Sequence, residues 1–370
     1  MPSLLDIDAL IDDANTKIVV CCGSGGVGKT TTAASLAVRA ANRGRKAVVM
    51  TIDPARRLAQ SLGLRELSNQ PTRVDVDEFR PTGELAAMML DMRRTFDDMV
   101  LQHAGPERAK AIFANTVYQT IASSFSGTQE YMAMEKLGQL SASGDWDLII
   151  VDTPPSRNAL DFLDAPQRMS SVLDGRVMRM LSAPAKATGI TKLFGAGFNL
   201  FTKAISAVIG GQLMTDLSAF VQAFDSMFGG FKERADATFR LLSSPGTAFL
   251  VVAAPEPDAL REASYFCQRL IKDDMPLAGL VLNRTHPVLA ELPGARATAI
   301  ADEMSGSPLA QAVLRLHADR VAVAEREKRL LARFTMAHPS VALVGVPALP
   351  ADVHDIDGLL IVGDRLAGKG

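Results

Sequence analysis

The chain has 370 residues, 48% of them hydrophobic, and this length allows one large domain or two or three smaller ones. Its formal net charge of −2 argues against a basic surface for nucleic acid. Three cysteines are too few for a disulfide framework and are typical of a reducing cytosol. The first residues lack the features of a signal peptide, and no run is apolar enough to span a bilayer. We therefore expect a cytoplasmic protein with no nucleic-acid partner and no stable membrane insertion.

The most specific motif is residues 23–30, which read Gly-Ser-Gly-Gly-Val-Gly-Lys-Thr. An apolar run precedes it and a helical pattern follows it, which is the strand–loop–helix context of a phosphate-binding loop. Its glycines let backbone N–H groups point at phosphate oxygens, and the helix N-terminus adds partial positive charge. Lys29 is predicted to reach the β- and γ-phosphates and to act in catalysis, and the Thr30 hydroxyl to ligate Mg²⁺. The predicted nucleotide contacts in this loop are Gly23, Ser24, Gly25, Gly26, Val27, Gly28, Lys29, Thr30 and Thr31.

Six apolar runs rich in β-branched residues predict buried parallel strands. These runs are residues 17–22, 47–52, 148–151, 247–253, 277–282 and 341–346. Helical patterns separate them, for example at 31–43 and 257–271. Strands that alternate with helices predict an α/β fold with a doubly wound, mostly parallel sheet, in which ligands bind at the carboxyl ends of the strands.

Two long stretches, approximately 82–140 and 168–242, contain no convincing strand and are predicted to be helical. Both lie between predicted strands, so we expect them to be insertions that form a helical subdomain. The chain contains a single phosphate loop and no obvious internal repeat. We therefore predict one P-loop ATPase domain over residues 1–370.

Polar side chains follow three of the predicted strands. Asp53 could orient and partly deprotonate an attacking water, or it could cap a helix that starts at Pro54. Asp152 ends an apolar strand in the manner of a Walker B element, which places it near Mg²⁺. Asn283 could bind adenine through its amide, or it could be a turn residue.

Together these motifs resemble the arsenite-pump and tail-anchored-protein targeting ATPase family, which is related to the septum-site and nitrogenase iron proteins. The resemblance covers nearly the whole chain. The segments that carry it are residues 23–30, 51–55, 126–130, 152–156, 281–284 and 346–352. It implies an Mg²⁺-dependent ATPase that closes as a dimer around two ATP molecules, with hydrolysis moving the helical insertions. It also implies that Asp53 activates the attacking water, that Thr30 and Asp152 serve Mg²⁺, and that Asn283 contacts adenine.

The chain departs from the family pattern in three places. Ser24 stands where the family usually has a lysine that reaches the phosphates of the partner subunit. Arg157 could supply the missing charge, or it could be a solvated surface residue. The chain could also pair with a paralogous ATPase in a heterodimer instead of forming a homodimer. Asn158 replaces a typical histidine, and the zinc-binding Cys-x-x-Cys pair of eukaryotic targeting members is missing.

The helical insertions suggest what the ATPase handles. Phenylalanines recur there at helical spacing among many methionines, which favours a surface for a hydrophobic client such as a membrane-protein helix. These phenylalanines are Phe194, Phe198, Phe201, Phe220, Phe224 and Phe228. The same residues could equally form an ordinary helical core. Alternative functions are a regulatory or assembly ATPase of the septum-site type, and an ATPase subunit of arsenite efflux. The latter is disfavoured because no cysteine lies in the insertions.

Overall fold

The computed structural model describes residues 3–53, 57–75, 79–115, 118–119, 128–154 and 231–369. Contacts divide the chain into two compact units, which we treat separately. The first contains the described parts of Met1–Met89, Ser143–Leu160 and Leu241–Gly370. The second contains the described parts of Leu90–Ala142 and Asp161–Arg240. The organisation as one domain with helical insertions stays a prediction.

Several predicted residues lie outside the described residues. They are Arg157, Asn158, Phe194, Phe198, Phe201, Phe220, Phe224 and Phe228. In the described part of the chain, no helix combines the length and apolar character needed to cross a membrane.

An eight-stranded sheet forms the centre of the first unit. Its strands are β1 (Ile18–Cys22), β2 (Lys46–Thr51), β3 (Thr72–Arg73), β4 (Glu84–Met89), β5 (Leu148–Asp152), β6 (Thr247–Ala253), β7 (Leu277–Thr285) and β8 (Leu343–Pro347). Their order across the sheet is β3-β4-β2-β5-β1-β6-β7-β8. All neighbours pair in parallel except β3 and β4. The predicted α/β class with a mostly parallel sheet is confirmed, and the six predicted strands end within three residues of the observed bounds.

Helices alternate with these strands in the first unit and make up the described part of the second. They are α1 (Ile7–Asp12), α2 (Lys29–Asn42), α3 (Arg57–Ser61), α4 (Met92–Ala104), α5 (Pro106–Phe113), α6 (Thr128–Ser143), α7 (Phe231–Leu242), α8 (Pro257–Lys272), α9 (Gly294–Glu303), α10 (Pro308–Ala337) and α11 (Ile356–Leu366). Strand residues Val19 and Cys21 belong to a core that includes buried side chains of α2 and α11. Because side chains alternate along a strand, Ile18 and Val20 occupy the opposite face of the sheet.

The expectation that residues 82–140 contain no strand is wrong at the start of that stretch. β4 runs beside β2 from the pair Lys46–Glu84 to the pair Thr51–Met89, and four of its residues in succession are buried. Its sequence, Glu-Leu-Ala-Ala-Met-Met, is made of residues that favour helices and contains no β-branched side chain. Pairing and burial inside the sheet therefore override the local preference, and the first helix of this stretch is α4.

The helix that follows the phosphate loop, α2, is fastened at its far end by an ion-pair network. The Arg39 guanidinium donates to both carboxylate oxygens of Asp8 in α1, at 2.6 and 2.8 Å. It also donates to Asp364 in α11, at 2.8 Å. Solvent screens the pair with Asp8 only weakly, because the Arg39 side chain is 9% exposed and that of Asp8 is 20% exposed. The hydrogen bonds from Arg39 hold the pKa of Asp8 well below its ordinary value.

We predict that Asp8→Asn lowers the free energy of unfolding by about 1–3 kcal/mol at pH 7, because it removes a charge-assisted pair with a buried arginine. The folded-state pKa of Asp8 is depressed, so its contribution is complete above the ordinary aspartate pKa and is lost as the pH falls below it. Urea denaturation at pH 7 and pH 3 measures both effects. Asp319→Asn, on an exposed part of α10, is the control; an equal loss in both variants would contradict the prediction.

Candidate nucleotide-binding site

The phosphate loop joins β1 to α2 and depends on glycine at two close contacts. Gly23 and Gly28 have φ values of +150° and +93°, where other residues are strained. A Cβ atom on Gly23 would lie 2.1 Å from the backbone oxygen of Val252 in β6. A Cβ atom on Gly28 would lie 2.2 Å from Nδ2 of Asn283 in β7. The loop therefore lies directly against the carboxyl ends of two other strands.

Lys29 is the first residue of α2 and is buried, with 6% of its surface exposed. Its ammonium group donates to the backbone oxygen of Ser24 across the loop, at 2.8 Å. Burial lowers the pKa of Lys29, and the nearby carboxylates of Asp152 and Asp53 oppose this shift. The site thus holds a lysine whose charge is only partly compensated, and an anion bound beside it would favour the charged form.

Asp152, the last residue of β5, is the buried carboxylate of the site. Its Oδ2 atom accepts hydrogen bonds from the hydroxyls of Thr30, at 2.7 Å, and Thr51, at 2.9 Å. Its Oδ1 atom is buried, and none of the described residues gives it a hydrogen-bond partner. Burial raises the pKa of Asp152 to about 6, although both threonine hydrogen bonds lower it. The part of the chain that the structure describes therefore leaves one carboxylate oxygen without the partner that a buried charge requires.

Asp53 follows β2, and its backbone N–H donates to the Thr51 hydroxyl at 3.2 Å. The proposed alternative, a helix capped by Asp53 and starting at Pro54, falls on residues 54–56, outside the described residues. Beyond them α3 starts at Arg57. Across the site, the Thr153 hydroxyl donates to the backbone oxygen of Cys21 at 2.9 Å, which ties the segment after β5 to β1.

Asn283 is in β7, and both ends of its amide are engaged. Its Nδ2 atom donates to the backbone oxygen of Val27 at 2.9 Å, and its Oδ1 atom accepts from the N–H of Arg284 at 3.0 Å. Arg284 has a φ of +61°, which is uncommon for a residue with a side chain. The Asn283 side chain thus connects the end of β7 to the phosphate loop.

These elements surround a cavity of 520 Å³ at the carboxyl edge of the sheet. Seven of the predicted residues line it: Gly26, Gly28, Lys29, Thr30, Thr31, Asp53 and Asn283. The other predicted residues belong to the loop or to the buried layer next to it: Gly23, Ser24, Gly25, Val27 and Asp152. A cavity of this size accommodates a nucleotide-sized ligand.

The cavity also contains four ionisable residues to which the sequence motifs assigned no individual role. Arg57, Arg284, Asp352 and His354 all line it. Among the described residues, neither Arg57 nor Arg284 has an ion-pair partner, so both are suited to a polyanionic ligand. Arg284 lies inside the motif at residues 281–284, and Arg57 lies shortly after Asp53, and these positions are the signals that could have identified the two arginines.

The residues present fit a nucleotide and Mg²⁺. The hydroxyl of Thr30 and the unpartnered Oδ1 of Asp152 are hard oxygen donors, which Mg²⁺ prefers. Within the described ranges, no cluster of three or more acidic, histidine or cysteine side chains could hold a metal by itself. Mg²⁺ at nucleotide sites usually takes one or two protein oxygens and completes its shell with phosphates and water, so the small donor set agrees with this mode.

Comparison with known proteins identifies the family. The profile of a family described as anion-transporting ATPase matches residues 16–293, three quarters of the chain. The chain belongs to the anion-transporting ATPase family. The match contains the phosphate loop, Asp53, Asp152 and Asn283, and it confirms the family predicted from the sequence. This member is therefore an ATPase, an enzyme that hydrolyses ATP.

Among the relatives of this ATPase are several fungal proteins named ATPase GET3. The protein from Phaeosphaeria nodorum is 25% identical over 283 residues, which cover 75% of this chain and 79% of that protein. The protein from Podospora anserina is 27% identical over 283 residues, covering 75% and 76%. The protein from Pyrenophora tritici-repentis is 24% identical over the same length, covering 75% and 76%.

We predict that Asp152→Asn stabilises the nucleotide-free protein by about 1–2 kcal/mol at pH 8, because it removes a buried charge with an unpartnered oxygen. The folded-state pKa is raised, so the folded protein binds more protons between pH 4 and pH 6 and the wild type loses stability as the pH rises through this window. The gain in the variant should therefore appear above pH 6 and shrink at pH 4. Urea denaturation at both pH values tests this.

The control for this experiment is Asp145→Asn, which changes an exposed aspartate just before β5 and should leave stability unchanged at both pH values. A variant Asp152→Asn that is less stable than the wild type at pH 8 would mean that the protein itself compensates the carboxylate charge.

Proposed function

We propose that this ATPase binds ATP with Mg²⁺ in the 520 Å³ cavity and uses hydrolysis to open and close a dimer that binds or targets a hydrophobic client. The observation that carries the nucleotide part is the grouping of Lys29, Thr30 and Asp152 at the carboxyl edge of the sheet. Lys29 is buried beside the loop, and Thr30 and Asp152 share a hydrogen bond of 2.7 Å. This grouping joins a cation for phosphates to oxygen donors for a divalent ion.

In this proposal, the loop and the positively charged side chains around it bind the phosphates of ATP. The loop N–H groups, the start of α2 and Lys29 supply donors to phosphate oxygens. Arg57 and Arg284 add positive charge at the cavity wall. Thr30 and Asp152 would hold Mg²⁺, which when bound neutralises charge on the β- and γ-phosphates. Asn283 would contact adenine, since the end of β7 forms part of the same cavity.

Hydrolysis requires a base for the attacking water, and Asp53 is the proposed one. It follows β2, lines the cavity with Lys29, and lies close enough to act electrostatically on both Lys29 and Asp152. A carboxylate that accepts a water proton there orients the water toward the phosphate end held by Lys29. The other aspartate lining the cavity, Asp352, belongs to the segment after β8 and provides a matched comparison.

The dimer and the client extend the proposal beyond the nucleotide site. The family resemblance favours a homodimer or a heterodimer with a paralogous ATPase, closing around two nucleotides. The helical second unit, to which α4, α5 and α6 belong, is the proposed place for a client helix. The phenylalanines at helical spacing between residues 194 and 228 supply the apolar surface in this proposal.

We predict that Lys29→Ala lowers kcat/KM for ATP by at least about 100-fold, because it removes the loop cation that stabilises phosphate charge. Phosphate release from ATP in the presence of Mg²⁺ measures the loss. Lys17→Ala, which changes an exposed lysine just before β1, should keep wild-type turnover. Wild-type rates in Lys29→Ala would refute the proposed nucleotide site.

We predict that Asp53→Asn binds ATP about as tightly as the wild type but turns it over about 100-fold or more slowly, because the amide cannot take a proton from water. Equilibrium binding and single-turnover hydrolysis separate the two effects. Asp352→Asn should leave single-turnover hydrolysis within a factor of about two. If Asp352→Asn is slowed as much as Asp53→Asn, the assignment of the base to Asp53 is wrong.

The ATP-bound Asp53→Asn protein also tests the client. We expect it to form a dimer in sedimentation and to retain a labelled single-span membrane peptide. Serine at Phe224 and Phe228 should weaken peptide capture without loss of ATP hydrolysis, whereas serine at the exposed Ile271 of α8 should not. Unfolding of the phenylalanine variant would assign those residues to a core. Co-purification of a paralogous ATPase without a client would favour the regulatory alternative.

A further inference from the structure

Each end of the Asn283 amide, which connects β7 to the phosphate loop, has a backbone hydrogen-bond partner. Nδ2 of Asn283 donates to the backbone oxygen of Val27 at 2.9 Å, and Oδ1 accepts from the N–H of Arg284 at 3.0 Å. A carbonyl can only accept and a backbone N–H can only donate, so these partners fix which end of the amide points at the loop. Asn283 therefore holds the loop with a donor, in a geometry that excludes the flipped amide.

This contact sets the direction of the peptide group that follows Val27. A peptide is planar and trans, so holding the carbonyl of Val27 also fixes the N–H of Gly28 on the opposite side. The carbonyl of Gly28 in turn accepts from the N–H of Thr32 at 2.9 Å, in the first turn of α2. The end of the loop is thus held from β7 on one side and from α2 on the other.

Gly28 is shaped by the same contact. Its φ of +93° and the 2.2 Å approach of Nδ2 of Asn283 to the place of a Cβ atom mean that a side chain and the asparagine amide cannot occupy this space together. The hydrogen bond from Asn283 to the loop is therefore possible only because residue 28 is a glycine. Apart from the two neighbours of Gly28 in the sequence, no other described side chain comes within 4 Å of that Cβ position.

We propose that Asn283 is a positioning residue that keeps the phosphate loop in its phosphate-binding conformation. This role does not require a contact between Asn283 and adenine. It rests on the proposed function in one respect, namely that the loop binds the phosphates of a nucleotide. The amide retains one N–H and one lone pair after its two hydrogen bonds. A single side chain can therefore hold the loop and still offer a donor and an acceptor to a purine, which links base recognition to phosphate binding.

The first test needs no nucleotide. In the ligand-free protein, Asn283→Ala should speed amide hydrogen exchange in peptides covering residues 23–30 by roughly 5- to 10-fold, because one hydrogen bond closing the loop is lost. Peptides from α10 should exchange as in the wild type, and Asn15→Ala, at an exposed asparagine before β1, should change neither. Unchanged exchange in residues 23–30 would overturn the proposal, whatever the protein binds.

The second test uses inorganic tripolyphosphate, which has no base. Asn283→Ala should weaken competition by tripolyphosphate with ATP by roughly 5- to 10-fold, and Asn283→Asp should weaken it more, because two acceptor oxygens would then face each other. If the variants lose affinity for ATP but keep the wild-type affinity for tripolyphosphate, Asn283 acts on the base alone and the proposal is wrong. A wild type that binds neither ligand would refute the proposed function, while the exchange experiment still decides the role of Asn283.

A double-mutant cycle tests the shared packing. Gly28→Ala should weaken the binding of tripolyphosphate, since its Cβ displaces the asparagine amide from Val27. Asn283→Ala added to this variant should change tripolyphosphate affinity by less than about twofold, because the contact is already lost and this ligand has no base for Asn283 to contact. Independent, multiplying losses of tripolyphosphate affinity would show that the two residues act separately and would contradict the proposal.

Discussion

One oxygen atom of Asp152 connects three segments of the first unit. Its Oδ2 accepts from Thr30 at the start of α2 and from Thr51 at the end of β2, while the residue itself ends β5. The arrangement is costly without a ligand, since burial raises the pKa of the carboxyl and its second oxygen has no partner among the residues that the structure describes. A site that leaves such a cost uncompensated is suited to a bound cation, which would supply the missing interaction.

The parallel sheet explains how residues so far apart in the chain meet. β2, β5, β1, β6 and β7 are successive neighbours, and all of them end at the same edge. The loop after β1, Asp53 after β2, Asp152 on β5 and Asn283 on β7 therefore converge without help from long flexible segments. Parallel strands also leave N–H and carbonyl groups at this edge, and the Thr153 hydroxyl satisfies the carbonyl of Cys21 in β1. The Asn283 amide satisfies the carbonyl of Val27 in the phosphate loop.

The sequence identified those parts of the fold and site that depend on local pattern. β1 and β6 are fully buried apolar runs, so a few consecutive residues are enough to predict that they are strands. β4 cannot be predicted in this way, because leucine, alanine and methionine favour a helix. It is a strand because it pairs with β2. The motif residues could be placed at strand ends. The bond from Asn283 to Val27 could not be predicted, because it joins residues 256 positions apart. The sequence assigned no role to Arg57 and Arg284 for a related reason, since only the fold shows that both line one cavity.

The position of α11 has a consequence for synthesis on the ribosome. α11 packs on α2, with Gly363 close to the backbone of Ser35, and Asp364 binds the Arg39 guanidinium. The helix that carries the phosphate loop is therefore covered only after residues 356–366 have left the exit tunnel, and β7 must already be paired beside β6. A nascent chain that has made the loop, Asp53 and Asp152 still lacks both of these supports. The conformation of the loop therefore depends on segments that are synthesised long after it, and a nascent chain that ends before residue 356 lacks the cover that α11 gives to α2.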